Sequence, residues 1–422
     1  MTLSLGIDIG TSGVRTAVLN GDALVSTART GHPSQDPRRI DANGWWAAVK
    51  TCLTAQISAL HDIGVDPAEI TDVAVDGTSG SMVLTDAALT PVSPGLMYNS
   101  SGFDAEAENI AACAPDDHIT KGSNSALARA MRLVSLAQGT PVHLLHQADF
   151  IAAKLMGRGG FSDHNNALKT GYEPEEDRWP DWIDRVIEPS LLPKVLPPGA
   201  PIASLSAECA RCFQLSPHAM VHAGTTDSIA AFLACAPLEE GVAVTSLGST
   251  LAIKLLSRAR IDGPNVGLYS HRLGDLWLVG GASNTGGAVL RRYFSDDELR
   301  ELSMQIDPDD PIDLDYYPLL VPGERFPVND PDLKPILHPR PPDNALYLQA
   351  MLEAMAGIEA RCYRAIQDRG GPTPSVIYTA GGGAQNNVWT AIRARHIGLW
   401  PKAAPQSEAS VGAAKLAQST ST

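Results

Sequence analysis

The sequence predicts an α/β protein of two similar domains that face each other across a central cleft. Its 422 residues exceed one ordinary domain and suit two domains of about 200 residues each. A strand, a glycine-containing turn and a second strand occur twice, around residues 8–12 and again around 246–250. Ser216-Pro217 interrupts the chain between these repeats, so we predict domains at 1–218 and 219–422.

Composition and charge are typical of a globular protein and restrict its partners. Hydrophobic residues make up 44% of the chain and charged residues 19%. A net charge of −15 argues against nucleic acid or an anionic membrane as the main partner. We find no apolar run of about 18 residues, no signal-peptide pattern at the start, and six scattered cysteines. These features predict a cytoplasmic protein with reduced thiols and leave the oligomeric state open.

The first half of the chain shows period-two alternation followed by helical periodicity. Strands are predicted at 3–9, 14–19, 71–75 and 82–84. Helices are predicted at 43–63, 104–113, 125–138 and 146–156. The proline-rich stretch 157–204 is predicted to be mostly loop, followed by a helix at 206–214.

The second half begins with the same kind of pattern. Strands are predicted at 219–223, 241–245 and 251–256, and helices from Ile229, at 344–369 and at 386–397. The segment 305–343, rich in proline and aspartate, is predicted to be an irregular surface excursion.

The turn Gly10-Thr11-Ser12-Gly13 has the residue types that suit a phosphate. Small residues let backbone N–H groups approach phosphate oxygens, and the hydroxyls of Thr11 and Ser12 can donate as well. Asp8 would repel a phosphate, but it can hold Mg²⁺ or the waters of that ion. A simple β-hairpin with a polar turn would show the same pattern.

Two further glycine turns each follow a strand and strengthen the case for a nucleotide. Each of them alone could be an ordinary tight turn or a helix entry. Together the three turns offer two phosphate clamps and a small-residue surface for adenine, and none matches the P-loop pattern GxxxxGK[ST]. The predicted ATP-binding residues are Gly10, Thr11, Ser12, Gly13, Gly248, Ser249, Thr250, Gly382, Gly383 and Asn386.

Other candidate residues could bind or activate a polyhydroxylated substrate. Asp227, between two threonines and a small-residue helix, could accept a hydroxyl proton or could cap that helix. Asp76, in a polar glycine turn that also contains Ser79, could bind hydroxyls or close an Asx turn. Trp45 could present a flat ring to a sugar or could pack in the core.

In their order along the chain, these segments resemble the FGGY carbohydrate kinases. The first phosphate motif resembles residues 6–12, the sugar-side loop residues 74–80 and the mid-chain segment residues 162–172. The catalytic-base motif resembles residues 223–228, the second phosphate motif residues 245–250 and the adenosine region residues 381–386. Pro405, Glu408 and residues 412–414 resemble the family's closing helix.

The resemblance implies an actin-like (ribonuclease H-like) ATPase fold, with sugar bound by the first domain and ATP mainly by the second. It implies transfer of the γ-phosphoryl group of ATP to a hydroxyl of a pentulose. Asp8 would serve Mg²⁺, Thr11 would contact the transferred group and Asp227 would be the base. From these residues together we predict that Asp76, Ser79, Trp45 and Asp227 contact the sugar.

Three departures from the family pattern concern the sugar. Residues 98–102 lack the acid and the arginine of a Trp-x-Asp-x-Arg segment, and the tryptophan signature expected near 123–136 is absent. Val83 stands where xylulose kinases show histidine. The loop 76–80 looks most like members acting on D-ribulose, so we predict D-ribulose ahead of D-xylulose. The alternative is a sensor or scaffold that binds nucleotide and sugar without useful turnover.

Overall fold

The computed structural model describes residues 3–34, 40–116, 118–312 and 314–418. The chain divides into two compact units. Unit 1 comprises Met1–Ala234 with Glu408–Thr422, and unit 2 comprises Cys235–Ser407. Each unit contains a six-stranded mixed sheet and several helices, as the sequence predicts.

Unit 1 contains strands β1 (Leu3–Ile9), β2 (Gly13–Asn20), β3 (Ala23–Gly31), β4 (Ile70–Gly77), β5 (Met82–Thr85), β6 (His143–His146), β7 (Phe161–Asp163), β8 (Lys194–Leu196), β9 (Pro201–Ser204) and β10 (Met220–Thr226). The large sheet has the order β3-β2-β1-β4-β10-β9. Strands β1, β4 and β10 run parallel, and the others pair antiparallel with their neighbours. Two small sheets join β5 with β6 and β7 with β8.

The helices of unit 1 before its junction with unit 2 are α1 (Ala42–Asp62), α2 (Asp104–Ala111), α3 (Ala126–Leu136), α4 (Gln147–Met156), α5 (His164–Lys169), α6 (Ala207–Cys212) and α7 (Asp227–Cys235). Asp41 caps α1 by accepting a hydrogen bond from the Asn43 amide at 2.9 Å. Apolar residues of α1 and α4 then pack against the odd-numbered residues of β1, which form the main core of this unit.

Unit 2 contains α8 (Gly287–Tyr293), α9 (Asp296–Ser303), α10 (Asn344–Gln367) and α11 (Asn387–Ile397), and the chain then returns to unit 1 as α12 (Ala409–Gln418). The strands of unit 2 are β11 (Val242–Leu247), β12 (Leu251–Ser257), β13 (Tyr269–Leu273), β14 (Leu276–Ser283), β15 (Val376–Ala380) and β16 (Lys402–Ala403). Their order is β13-β14-β12-β11-β15-β16, with β11, β15 and β16 parallel. Both large sheets therefore begin with antiparallel strands and continue with parallel ones, and in the first sheet the edge strand β9 is antiparallel again.

The bounds of the units differ from the predicted domains. The predicted boundary at 218/219 falls just before β10, which pairs with β4 and β9 inside the first sheet. Helix α12 packs against β1, and a Cβ at Gly6 would collide with the Ser410 carbonyl oxygen. These pairings join residues far apart in sequence, so local sequence signals do not reveal them.

Most predicted helices and strands form with small shifts at their ends. Strands β3, β6, β13, β14 and β16 and the short helices α8 and α9 were not predicted. The stretch 157–204 also holds β7, α5, β8 and β9 rather than loop alone. Between α9 and α10 the described residues form no helix or strand, consistent with the predicted irregular excursion. Within the described ranges, no helix has the length and apolar character needed to cross a membrane.

Candidate active site

Three aspartates lie where parallel strands of unit 1 end. Asp8 on β1 is the register partner of Asp76 on β4, and Asp76 is the partner of Thr225 on β10. Asp227 follows β10 directly as the first residue of α7. Because parallel strands end at the same edge of a sheet, this topology brings together carboxylates that are 68 or more residues apart in sequence. In α/β proteins this edge is where ligands usually bind.

The predicted phosphate turn forms a tight connection between β1 and β2. The Gly10 amide donates to the Gly13 carbonyl oxygen at 2.9 Å, and the side chains of Thr11 and Ser12 are exposed. A Cβ at Gly13 would collide with the carbonyl oxygen of Thr30, so this close approach to β3 requires glycine. The hydroxyls and amides at the tip of the turn are therefore accessible to a ligand.

Arg15, which was not among the predicted site residues, contacts this site. Its Nη1 lies 3.2 Å from Asp8 Oδ2, and its Nε lies 3.6 Å from Glu408. The hairpin register pairs Asp8 with Arg15, so a symmetrical hairpin drawn through Gly10–Gly13 could have revealed this ion pair. Burial raises the pKa of Asp8, and the Arg15 guanidinium opposes that increase.

Asp76 is the most deeply buried of the three carboxyl groups, with no exposed surface. Neither of its oxygens makes a hydrogen bond of good geometry to the described residues. Burial, and then the negative charges of Asp8 and Asp227, raise the pKa of Asp76 well above its usual range. The carboxyl groups of Asp76 and Asp8 also interact with each other, and a buried acid that otherwise lacks a hydrogen-bonding partner suits a position that a ligand completes.

The oxygen-rich ends of β1 and β4 fit Mg²⁺, which prefers oxygen ligands. Among the described residues, no group of three or more His, Cys, Asp or Glu side chains could hold a metal ion by itself. Mg²⁺ commonly binds through one or two carboxylates together with water and substrate phosphates. Asp8 suits that arrangement because it lies beside the phosphate turn.

Asp227 lies at the predicted strand–helix junction and is half-buried. Its Oδ1 accepts a hydrogen bond from the Ser228 amide at 2.6 Å. This contact is with the adjacent residue, whereas the side chain of an N-cap accepts from the amide two or three residues further on. The nearby Asp76 and the strand edge are compatible with a catalytic base. The geometry therefore leaves both predicted roles open.

Residues 78–81, at the end of the sugar-side loop, are held by a buried hydrogen-bond network. Gln147 Oε1 accepts from the Thr78 amide at 3.1 Å and from its hydroxyl at 2.7 Å. The hydroxyl oxygens of Thr78 and Ser81 are 2.6 Å apart. Ser79 remains half-buried at the tip of the loop. These contacts fix the backbone immediately after Asp76.

Trp45 and Val83 lie in the core of unit 1. Trp45 is only 2% exposed, and its ring meets Phe150 edge-to-face with 6.3 Å between centroids. Val83 has no exposed surface and belongs to the same core. Packing accounts for both residues, so the structure offers no separate support for contact between Trp45 and a sugar.

In unit 2 two of the predicted nucleotide turns lie against each other. Strands β11 and β15 are parallel, with Ser246 paired to Ala380, so their following turns share one edge of the sheet. A Cβ at Gly381, whose φ is +86°, would lie 2.5 Å from the Leu247 carbonyl oxygen. Gly248, Ser249, Thr250 and Gly382 are exposed beside this contact, and Asn386 caps α11.

A buried ion pair contacts the two strands that precede these turns. Glu359 and Arg393 have fully buried side chains, with two hydrogen bonds of 2.6 and 2.8 Å between them. Glu359 also accepts from Thr245 on β11 at 2.5 Å, and Arg393 donates to Thr379 on β15 at 2.9 Å. The pair thus links the two strands that carry the turns.

The sequence analysis also missed a segment that contacts the second phosphate turn. The Gly287 amide donates to the Gly248 carbonyl oxygen at 2.9 Å, and the Ala288 amide donates to that of Ser249 at 3.1 Å. Gly286 approaches Thr250 so closely that a Cβ would lie 2.7 Å from the Thr250 Cα. The paired glycines after a strand were the available signal, but β14 itself was not predicted.

Comparisons with known proteins agree with the resemblance in the sequence. Residues 243–420 match the FGGY family of carbohydrate kinases, C-terminal domain. A xylulose kinase of Staphylococcus xylosus is 22% identical over 93% of this chain and 86% of its own length. These similarities extend beyond the matched domain to nearly the whole chain.

Solved structures share the fold. The xylulose kinase from Rhodospirillum rubrum aligns with a TM-score of 0.84 and 20% identity, covering all of this chain and 90% of the other. The gluconate kinase from Lactobacillus acidophilus also aligns with a TM-score of 0.84, at 14% identity and 99% and 89% coverage. Both match the two-domain actin-like ATPase fold. The chain therefore has the fold of these sugar kinases and is similar to the FGGY family of carbohydrate kinases, whose C-terminal domain its residues 243–420 match.

Proposed function

We propose that this sugar kinase transfers the γ-phosphoryl group of ATP to a hydroxyl group of a pentulose. The single observation that carries the proposal is the convergence of Asp8, Asp76 and Asp227 at the ends of parallel strands in unit 1. One carboxylate lies beside a phosphate turn, one is fully buried next to it and one stands at a helix start, and these positions suit three different tasks.

In this mechanism Asp227 accepts the proton of the attacking sugar hydroxyl. The hydroxyl oxygen forms a bond to the γ-phosphorus while the bond from that phosphorus to the bridging oxygen breaks, leaving ADP. Thr11 donates to the transferred phosphoryl group, and Asp76 accepts hydrogen bonds from other sugar hydroxyls. FGGY kinases use ATP with Mg²⁺, which supplies positive charge against the phosphates, and Asp8 would hold that ion.

The nucleotide is assigned to the glycine turns. We assign the phosphates to Gly10–Gly13 and Gly248–Thr250, and the adenosine to Gly382, Gly383 and Asn386. The exposure of the Gly248 turn and its contact with Gly381 support this assignment. Exposed amides and hydroxyls in tight turns can surround phosphate oxygens without a P-loop lysine.

The sequence of the sugar-side loop and the names of the relatives favour different pentuloses. The loop 76–80 favours D-ribulose ahead of D-xylulose, as predicted from the sequence. The second ground for that order, Val83, is weakened because its side chain is buried in the core. The name of the Staphylococcus xylosus relative favours D-xylulose instead. A sensor without turnover is not favoured, since these relatives are named as kinases.

A coupled ADP-release assay with D-ribulose, D-xylulose, glycerol, gluconate and a ketohexose tests the proposal. We expect a pentulose to give the highest kcat/KM, with D-ribulose ahead of D-xylulose. The highest value for glycerol, gluconate or the ketohexose would overturn the pentulose assignment. Binding of sugar and ATP without ADP release above the solvent background would instead support the sensor.

A further inference from the structure

Arg129 is a buried arginine that the proposed chemistry does not use. It lies in the first turns of α3 and is 1% exposed. Its guanidinium donates to four backbone carbonyl oxygens: those of Gly80 at 2.6 Å, Tyr98 at 2.8 Å, Asn124 at 3.1 Å and Ser100 at 3.4 Å. Few side chains can satisfy so many acceptors, and the planar fork of arginine is one that can.

These carbonyl groups belong to three separate loops. Gly80 is in the sugar-side loop that follows Asp76, Tyr98 and Ser100 are in the segment 98–102, and Asn124 is in the turn before α3. The first two loops also meet at Ser81, whose Oγ accepts from the Tyr98 amide at 2.9 Å. Arg129 and Ser81 therefore both connect the sugar-side loop to the segment 98–102.

The sugar-side loop is shaped around this guanidinium. Gly80 has φ of +81°, and a Cβ there would lie 3.0 Å from Arg129 Nη1. Only glycine combines that backbone conformation with so close an approach at low cost. The conformation of the loop therefore depends both on glycine at position 80 and on the guanidinium of Arg129 beside it.

The charge of Arg129 is balanced by dipoles rather than by an acid. Within the described residues, no carboxylate contacts its guanidinium, and its Nε has no hydrogen-bond partner. Burial lowers the pKa of Arg129 to about 10, which still leaves the group charged at neutral pH. Neutral carbonyl groups compensate the charge less than a carboxylate would, so the burial of Arg129 adds little net stability. What its directional hydrogen bonds do is hold these carbonyl groups in one arrangement.

We propose that Arg129 is a positioning residue that sets the conformation of the sugar-side loop and of segment 98–102. It acts through their backbone, and so it orders a segment that has neither an acidic nor an arginine side chain of its own. This inference rests on the proposed function, because it assigns that loop to the sugar. A loss of Arg129 would then disturb sugar binding while leaving the nucleotide turns unchanged.

The test compares Arg129→Met and Arg129→Lys with Arg132→Met, a matched control on the same helix. Arg132 pairs with Glu106 at 2.5 Å, lies over the Phe103 ring and is about one-third exposed, and it makes none of the hydrogen bonds to loop carbonyl groups that Arg129 makes. We expect both Arg129 variants to raise the sugar KM about tenfold or more, since charged hydrogen bonds are lost. The ATP KM should stay within about twofold. Lysine keeps the charge but lacks the fork, so it should not restore the parent values.

Amide hydrogen exchange gives a second readout that needs no substrate. We expect faster exchange in 78–81 and 98–102 of the Arg129 variants, and parent-like exchange in the control. An unchanged sugar KM with unchanged exchange, full rescue by lysine, or uniformly faster exchange across unit 1 would each overturn the positioning role. A parent protein without pentulose turnover would instead overturn the proposed function, while the exchange pattern would still decide the role of Arg129.

Discussion

Replacing Asp227 with asparagine separates general-base catalysis from helix capping. The Asp227 Oδ1 accepts from the Ser228 amide at 2.6 Å, and the side-chain oxygen of asparagine can accept the same hydrogen bond. Asparagine and aspartate are about equally good at helix starts. The fold should therefore be preserved in Asp227→Asn, whereas the ability to take a proton from a hydroxyl is lost.

The two roles predict very different magnitudes. Loss of a general base lowers the rate by about 10²–10⁴, which corresponds to about 3–5 kcal/mol of transition-state stabilisation. Loss of a cap, even to alanine, costs about 0.5–2 kcal/mol of folding free energy and no specific rate effect.

The charge of Asp227 provides an independent check on folding. It is one of the two negative charges that raise the pKa of the buried Asp76. Neutralising it removes a like-charge repulsion, so the Tm of Asp227→Asn at neutral pH should equal or exceed that of the parent protein.

The assay combines a thermal melt, a nucleotide-binding titration and steady-state ADP release on one purified variant. Asp343→Asn is a matched control, because Asp343 caps α10 and accepts from the Ala345 amide at the same 2.6 Å. We expect parent-like melting and binding for both variants, with kcat reduced about a hundredfold or more only for Asp227→Asn. Turnover of Asp227→Asn within a few-fold of the parent would refute the base assignment.

Three further predictions concern Thr11 and Asp76. Thr11→Ala should lower kcat more than it weakens ATP binding, because backbone amides hold the ground-state phosphates; a raised ATP KM at unchanged kcat would contradict this. Asp76→Ala should raise the sugar KM about tenfold or more without changing the nucleotide Kd, and a selective loss of nucleotide affinity would show that the loop does not bind sugar. The pKa of Asp76 is raised in the folded state, so the parent protein loses stability as the pH rises above about 4, the unfolded value. The Tm of Asp76→Asn should therefore exceed the parent's by a growing margin between pH 4 and pH 7, and parallel Tm curves would disprove it.

The parts of the site that are local in sequence could be predicted. The hairpin around Gly10–Gly13 and the junction at Asp227 both depend on a few adjacent residues, and the structure has both. The same reasoning could have identified Arg15 as a site residue, because the hairpin register alone pairs it with Asp8. Local patterns thus identified most of the chain's glycine turns and its candidate base.

Contacts between distant residues could not be predicted in this way. The pairing of β4 with β10 brings Asp76 beside Thr225 and moves the unit boundary to Ala234. The burial of a side chain could not be predicted from its residue type either. Trp45 has an aromatic ring that could stack on a sugar, yet the ring packs against Phe150. Arg129 had no motif to mark it, since its partners are backbone carbonyl groups of three loops.

The two sheets show how similar mixed sheets can carry different chemistry. In unit 1 the parallel strands end in acids, with Asp8 and Asp76 in register and Asp227 just beyond β10. In unit 2 the corresponding strands β11 and β15 end in glycine turns, and the charged pair Glu359–Arg393 is buried out of reach of a ligand. Acids near the end of a strand can bind hydroxyls and a cation, whereas glycine turns expose amides that suit phosphate and a flat base. This difference in side chains, rather than the shared topology, is why we assign the sugar and the base to unit 1 and most of the nucleotide to unit 2.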